Sequence, residues 1–464
     1  MRKFKGKKVA VLGVSVEGLD TVKFFTNEGA RVLCCDRRTK KVLGSMYTEL
    51  QKYPVVFQLG ERYLQGLENQ DIVVRTPGMS PRLPQLVSLR KSAVEITTLT
   101  NLFFELCRAP IIGVTGTKGK GTTCTLIARM LEKGGESVYL GGNVGVPLLS
   151  KVRQILPSDW VVLELSSFQL EDLRKSPFVA VILRITQDHL VNFDKLATNY
   201  HLSKETYVEA KQSIVRYQKK GDFIVVNSDD PVARAFANLT PAYRLTFSRH
   251  NTQADAYVQN HTVYLRTNNA VVTLCSKDTV SLRGDHNLEN IAASALAAHT
   301  AGVSVEAIQN AAQTFEGLEH RLEFVICVNG VSYFNDSFST IPETTIAAIE
   351  SFTEPLVLVL GGSEKGSDFT QMGKEIARSS VQTVIVIGDM TKRITKALGD
   401  AMYRGSVITG CRTMKRIVAT AARVAPPGGV VLLSPACASF DMFQNYKDRG
   451  KQFKDEVNIL THAI

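Results

Sequence analysis

The segment best suited to phosphate chemistry is Ile112-Gly113-Val114-Thr115-Gly116-Thr117-Lys118-Gly119-Lys120-Gly121-Thr122. An apolar run precedes it, and a helical pattern with Leu126, Ile127, Met130 and Leu131 on one face follows it. A glycine-rich turn between strand and helix aims backbone N–H groups at an anion, and the helix N-terminus adds positive potential. Gly116 to Thr122 therefore reads as a nucleotide-phosphate loop. Lys120 is the residue to reach the β- and γ-phosphates, and Thr122 supplies a hydroxyl to Mg²⁺. The standard spacing is not met, because the first glycine would fall at Val114 and Gly121 follows the lysine where a hydroxyl residue is usual. A structural glycine turn is the plainer alternative.

Three further positions could carry chemistry. Glu164 ends the apolar run Val161-Val162-Leu163, and a buried carboxylate without a partner is costly, so it needs a cation or hydrogen bonds. Mg²⁺ from the neighbouring nucleotide is the natural partner; a hydrogen-bonded structural glutamate is the alternative. Asp188-His189 follows the strand pattern Val179–Ile185, where a lone histidine is more often structural than a ligand. Lys204, on a polar helix, reads by itself as a solvated lysine. Gly13-Val14-Ser15-Val16-Glu17-Gly18, with Asp36 closing the next strand, is a dinucleotide fingerprint whose middle glycine is Ser15. It fits a hydride-transfer enzyme or a plain strand–helix turn equally.

These residues need elements to hold them. The 464-residue chain is too long for one core. Strand and helix patterns alternate in three blocks, 1–98, 99–317 and 318–464, as parallel α/β layers do. Expected strands include Lys8–Leu12, Arg31–Cys35, Pro110–Val114, Trp160–Leu165, Leu356–Leu360 and Val430–Leu433, with a small antiparallel piece between about 255 and 283. Ligands of open parallel sheets collect beyond the carboxyl ends of the strands. The loops after Leu360, Ile387 and Leu433 are therefore the places to look in the last block.

Bulk properties narrow the partners. The net charge is +11, from 55 Lys plus Arg against 44 Asp plus Glu. That favours anionic ligands, but the basic residues are dispersed and do not interleave with aromatics, so small phosphorylated molecules fit better than nucleic acid. No run reaches the ~18 apolar residues of a membrane helix. The five basic residues in Met1–Lys8 precede a segment broken by Gly13 and Ser15, which reads as a first strand and implies a cytoplasmic protein. The eight cysteines form no CxxC pair, which fits reduced thiols.

In chain order the sequence presents the lysine loop, Gly142-Asn143, Glu164-Leu165-Ser166-Ser167-Phe168-Gln169-Leu170, Asp188-His189, Lys204, and His286-Asn287. His320-Arg321, Asn335-Asp336-Ser337, Gly361-Gly362 with Lys365, and Leu433-Ser434-Pro435-Ala436-Cys437-Ala438-Ser439 follow. In this order the chain resembles the Mur ligase family over essentially its full length. The strings Glu-Leu-Ser-Ser-Phe-Gln-Leu and Ser-Pro-Ala-Cys-Ala-Ser are those of its glutamate-adding members.

The resemblance implies three α/β domains: a Rossmann-like N-terminal domain for UDP, a P-loop-type central ATPase domain, and a Rossmann-like C-terminal domain for the amino acid. It implies an ATP-dependent ligase that joins glutamate, expected as the D-isomer, to UDP-N-acetylmuramoyl-L-alanine through an acyl phosphate, in peptidoglycan precursor synthesis. Val16, Glu17, Asp36, Arg37, Arg38, Thr76, Gly78, Asn143 and Ser166 are implied to hold the UDP substrate. Gly116, Thr117, Lys118, Gly119, Lys120, Gly121 and Thr122, with Asn287, Asn290, Arg321 and Asp336, are implied to bind ATP. Thr122, Glu164, His189 and Lys204 are implied to hold two Mg²⁺ ions, Lys204 as a carbamate, with Lys120, His189 and Lys204 catalytic. Thr340, Lys365, Ser439 and Tyr446 are implied to receive glutamate. A monomer acting on small molecules, with no nucleic acid or membrane partner, is expected. Four positions depart from the family: Gly121 for a hydroxyl residue, Lys118 for Asn, Phe338 for Lys, and Tyr446 for Phe. A folylpolyglutamate-synthase-like ligase lacks the first block, and a non-catalytic nucleotide-sugar-binding relative stays open on Gly121 and Phe338.

Overall fold

The computed structural model describes residues 3–143, 145–186, 199–268, 270–364 and 366–462. His189 and Lys365, two of the expected site residues, lie outside the described residues. The chain forms two compact units, Met1–Ser276 with Leu288–Ala312, and Lys277–Asn287 with Gln313–Ile464. Mixed α/β architecture with three sheets is present, as the three blocks predict.

In the first unit, five parallel strands run in the order Val55–Leu59, Arg31–Asp36, Lys8–Leu12, Ile72–Arg75, Glu95–Thr98. The central strands are buried along their length, which explains their unbroken Val/Leu/Ile composition. Gly13, Asp36 and Thr76 stand at or just past the carboxyl ends of three adjacent strands. The sequence patterns therefore converge on one edge.

The second sheet has nine strands. Its parallel core runs Val138–Gly142, Trp160–Glu164, Ile111–Thr115, Val179–Ile182, Phe223–Asn227. Ile111–Thr115 lies between the strand ending at Glu164 and the strand Val179–Ile182. The chain leaves it toward one side and returns on the other, so its carboxyl end is a topological switch point. The strands Ala256–Gln259, Thr262–Arg266 and Val271–Ser276 form the small antiparallel piece that the sequence predicts. They extend this sheet, because Ala256 pairs in parallel with Phe247 of the strand Tyr243–Ser248. That strand would otherwise present an open edge of unpaired N–H and C=O groups.

One apolar cluster runs through residues of both sheets, with Phe24, Phe25, Leu149, Val152 and Val161 among its members. Polar ties accompany it. Arg153 pairs with Glu28 at 3.2 Å. Arg75, 1 % exposed, pairs through Nη2 with Asp172 at 2.5 Å. Its Nη1 donates to the carbonyls of Thr76 at 3.2 Å, Pro77 at 3.4 Å and Met79. This guanidinium thus fixes the Thr76-Pro77-Gly78 turn and links it to the second sheet.

The second unit is built on six strands in the order Glu323–Val328, Val331–Asn335, Val430–Leu433, Leu356–Gly361, Val381–Ile387, Ser406–Ile408. Only the first pair is antiparallel. Apolar clusters cover both faces, one holding Leu358, Ile376 and Ile394, the other Ile417, Val431 and Phe453. Among the described residues no helix is long and apolar enough to cross a membrane.

Removing the partner of a buried cation leaves its charge uncompensated, which costs about 3–5 kcal/mol for a fully buried pair. Asp172 is partly exposed, so the expected loss for Asp172→Ala is about 2–3 kcal/mol, below that range because water partly screens the carboxylate. Urea unfolding monitored by circular dichroism measures it. An unchanged midpoint would show that the link is dispensable.

Candidate active site

Everything at the phosphate loop follows from backbone that only glycine adopts. Gly116 (φ 156°) passes so close to the next strand that a Cβ would lie 2.7 Å from Leu183 Cβ. Gly119 (φ 85°) is the N-cap of the helix Lys120–Lys133, and a Cβ there would stand 2.5 Å from Asn290 Oδ1. No side chain caps this helix, so its first N–H groups remain for a ligand. Thr117 is held by its N–H to the Arg184 carbonyl at 2.9 Å, while its Oγ1 accepts the Thr186 N–H at 2.9 Å and lies 3.1 Å from the Tyr207 hydroxyl. Lys120 Nζ donates to the carbonyls of Gly116 at 3.1 Å and Thr117 at 2.9 Å. Lys118 is exposed and Thr122 half-buried.

Glu164 is 6 % exposed at the end of its strand. Among the described residues its carboxylate makes no hydrogen bond and no salt bridge. That is the partnerless buried carboxylate the sequence pointed to, and it suits a divalent cation. No group of three or more His, Cys, Asp and Glu gathers among the described residues. A Mg²⁺ held by Glu164 and Thr122 would draw its other ligands from phosphate oxygens and water, as this ion commonly does.

The helix Lys204–Arg216 supplies a residue that sequence reasoning missed. Lys211, 1 % exposed, donates from Nζ to Thr115 Oγ1 at 3.2 Å and to the Gly116 carbonyl at 3.1 Å, over the Tyr207 ring. Lys204, the expected site lysine, is exposed in the first turn of the same helix. Seven residues at about 1.5 Å each separate the two along the axis, roughly 10 Å. The structure therefore brings Lys211, not Lys204, to the loop. The available signal was the helical period, because Tyr207, Ala210, Lys211 and Ile214 share the inward face.

At the first sheet, Asp36 accepts the Val14 N–H at 2.9 Å and is gripped by Arg38 Nη2 at 2.7 Å. Burial alone would raise its carboxyl, but hydrogen bonds from Arg38 and Val14 and the Arg38 charge hold it below the usual range. Gly13, whose Cβ would meet Thr76 Oγ1 at 2.6 Å, brings the first turn against the Thr76 turn. Val16, Arg37 and Gly78 are exposed at this edge. Glu17 accepts from Gln169 Nε2 at 3.1 Å, and burial raises its carboxyl above the usual value. Gln169 forms a capping box with Ser166, and the exposed Asn143 donates its N–H to the Glu164 carbonyl at 3.1 Å. Val16, Glu17, Asp36, Arg37, Arg38, Thr76 and Gly78 thus share one edge, and Ser166 joins it through Gln169.

Asn290 receives the Thr123 hydroxyl at 3.4 Å behind the phosphate loop. In the second unit, Asn287 donates to the Arg283 carbonyl at 2.7 Å. There, Asp336, 5 % exposed, accepts from Ser434 Oγ at 2.7 Å and from the Leu322 N–H at 3.2 Å. Burial pushes its carboxyl up to about 6, against hydrogen bonds from Ser339, Ser434 and Leu322 and the charge of Arg321. Arg449, fully buried and also missed from the sequence, joins two loops. It donates to Ser337 Oγ and Ser337 O, both at 2.9 Å, and to the carbonyls of Cys437 at 3.1 Å and Ala438 at 3.4 Å. Ser337 Oγ in turn donates to the Tyr446 carbonyl at 2.8 Å. Thr340 and Tyr446 are half-buried, and Ser439 is buried at the end of the Ser-Pro-Ala-Cys-Ala-Ser loop.

Three family models match the chain in succession: Mur ligase MurD-like, N-terminal domain over residues 7–98, Mur ligase middle domain over 114–298, and Mur ligase, glutamate ligase domain over 320–437. The chain is 38% identical to the UDP-N-acetylmuramoylalanine--D-glutamate ligase of Symbiobacterium thermophilum, over 98% of each chain. It is also 38% identical to the ligase of that name from Acetivibrio thermocellus, over 99% of this chain and 98% of the relative. Among solved structures, UDP-N-acetylmuramate-alanine ligase MurC from Thermotoga maritima matches with a TM-score of 0.60 at 16% identity, covering 99% of this chain and 100% of that one. MurF from Acinetobacter baumannii matches with a TM-score of 0.63 at 13% identity, covering 97% and 93%. At those identities the solved structures speak for the fold alone.

The raised carboxyl of Asp336 has a stability consequence. The native state binds its proton more tightly than the unfolded chain, whose carboxyl titrates near 3.8. The stabilisation is complete below that value and is lost as pH rises through about 6. Relative to Asp336→Asn, the wild type should lose on the order of 3 kcal/mol between those limits, at about 1.4 kcal/mol per unit. Denaturant midpoints of both proteins across this range test it; parallel profiles would remove the assignment.

Proposed function

The chain belongs to the Mur ligase family, within its MurD-like branch, and on that premise we propose how its residues act. The protein is an ATP-dependent ligase that adds D-glutamate to UDP-N-acetylmuramoyl-L-alanine in peptidoglycan precursor synthesis. The observation carrying this reading is the uncapped helix N-terminus behind Gly116–Lys120, with the Glu164 carboxylate, unpaired among the described residues, at the neighbouring strand end.

A carboxylate is a poor acylating agent. One of its oxygens attacks the γ-phosphorus of ATP, the bond to the bridging oxygen breaks, and ADP leaves. The glutamate amine then attacks the acyl phosphate carbon, loses a proton, and the tetrahedral intermediate expels phosphate. No enzyme nucleophile is required, so catalysis is positioning and charge neutralisation. Gly116, Thr117, Lys118, Gly119, Gly121 and Thr122 cradle the phosphates. Lys120 is preoriented by the Gly116 and Thr117 carbonyls toward the β- and γ-phosphates. Asn287, Asn290, Arg321 and Asp336 serve the rest of the nucleotide. The Asp36–Arg38 edge, with Val16, Glu17, Arg37, Thr76, Gly78, Asn143 and Ser166, takes the UDP substrate. Thr340, Lys365, Ser439 and Tyr446 take the amino acid.

Two Mg²⁺ ions belong to this reading, held by Thr122, Glu164, His189 and a lysine carbamate; when bound they neutralise phosphate charge. The carbamate belongs to Lys204, exposed in the first turn of its helix, while Lys211 stays an amine whose donations hold Thr115 and Gly116. The Lys204 amine attacks CO₂ and loses a proton to give the carbamate. A cytoplasmic monomer of three domains, with boundaries near 98 and 317, completes the proposal.

Phosphate release measured with UDP-N-acetylmuramoyl-L-alanine, ATP and each glutamate enantiomer in turn tests the activity, with turnover expected for the D-isomer. Lys120→Ala should cost on the order of 10²-fold or more in rate; near-normal turnover would refute the nucleotide assignment.

For the carbamate, Lys204→Ala should be slow and partly rescued by an excess of a short-chain carboxylic acid. A wild-type rate for Lys204→Ala would remove the carbamate from that position.

A further inference from the structure

Arg321 occupies an unusual stretch of backbone. Its two neighbours, His320 (φ 66°) and Leu322 (φ 45°), both adopt the left-handed conformation without being glycine. Non-glycine residues hold that conformation only where the surroundings over-determine it, and such places cluster at functional sites. Here the surroundings are the end of the strand Val331–Asn335. His320 Nδ1 lies 2.9 Å from Asn335 Nδ2, the Phe338 N–H donates to the His320 carbonyl at 3.0 Å, and Asp336 takes the Leu322 N–H. The result is that the Arg321 guanidinium lies over the face of Phe338, 3.9 Å from its centroid. The far side of the support is Tyr446, whose ring meets Phe338 edge-on at 5.1 Å.

Phe338 is 37% exposed, so it does little for the core. A large apolar ring left open to water beside a cation is better explained by what lies on it. An aromatic face orients a guanidinium without using any of its N–H groups. Lysine, usual at this position in the family, would add a charge and repel Arg321.

We propose that Phe338 is a positioning residue: its ring is a shelf that fixes Arg321 for the anionic phosphates of the nucleotide, with Tyr446 as its brace. This rests on the assignment of Arg321 to ATP. Phe338→Leu keeps apolar bulk but removes the π face, and Phe338→Tyr keeps the face. The readouts are KM for ATP and for D-glutamate, kcat, and thermal unfolding. Phe338→Leu should raise KM for ATP roughly three- to thirty-fold, the worth of one cation–π contact. Its kcat should stay within about two-fold and its KM for D-glutamate and unfolding temperature should be unchanged, and Phe338→Tyr should match wild type. In an Arg321→Ala background Phe338→Leu should add nothing. A normal KM for ATP in Phe338→Leu, with Arg321→Ala impaired, overturns the shelf. So does an effect confined to KM for D-glutamate. If Arg321→Ala itself leaves KM for ATP unchanged, it is the nucleotide assignment beneath the proposal that falls.

Discussion

The loops proposed to do the chemistry are tied down by basic side chains buried beneath them. Arg75, Lys211 and Arg449 are all within 1 % of complete burial, each beneath a loop of a different sheet. Each donates to at least one carbonyl of the loop that leaves a strand: Thr76 and Pro77, Gly116, and Cys437 with Ala438. A loop that folds around an anion must turn its carbonyl dipoles away from it. Those carbonyls then face the interior, where an unsatisfied one is costly. A buried donor with several N–H groups solves both problems, satisfying the inward carbonyls and leaving the outward N–H groups for the ligand.

The same constraint explains which donor serves where. The turn after Arg75 and the paired loops around Ser337 and Ala438 each offer acceptors in several directions, and a guanidinium with five fixed N–H groups matches them. The phosphate loop offers one hydroxyl and one carbonyl at the site of Lys211. An amine suffices there. Arg449, pushed down to about 10 by burial, is still charged at neutral pH, so its grip persists under working conditions.

Arg321 shows the outward counterpart of this arrangement. It is a cation held by an aromatic face, and its hydrogen-bonding capacity is not consumed by the face that holds it. A lysine at 338 would supply charge directly, whereas phenylalanine supplies order to a charge already present. The protein thus keeps the Arg321 cation and has an aromatic face where the family usually has a second one.

Much of this was legible in the residues themselves. The strands Lys8–Leu12, Ile111–Thr115 and Val430–Leu433 announce themselves as short apolar runs ended by glycine, threonine or serine, because parallel strands buried on both faces carry no polar alternation. The glycine backbone at Gly116 and Gly119 was visible because a loop that turns N–H groups outward before a helix needs conformations that glycine adopts most readily. Edge strands such as Ser406–Ile408, exposed along much of their length, left no such run. The joining of the antiparallel strands to the nine-stranded sheet depended on an open edge that only the assembled sheet creates. Lys211, Arg449 and the Arg321–Phe338 stack were likewise beyond the sequence. Lys204 and Lys211 are the same residue type on the same helix, and their difference lies in which face packs against the loop. Burial of a charge is a property of what surrounds it, so only the tertiary structure could choose between them.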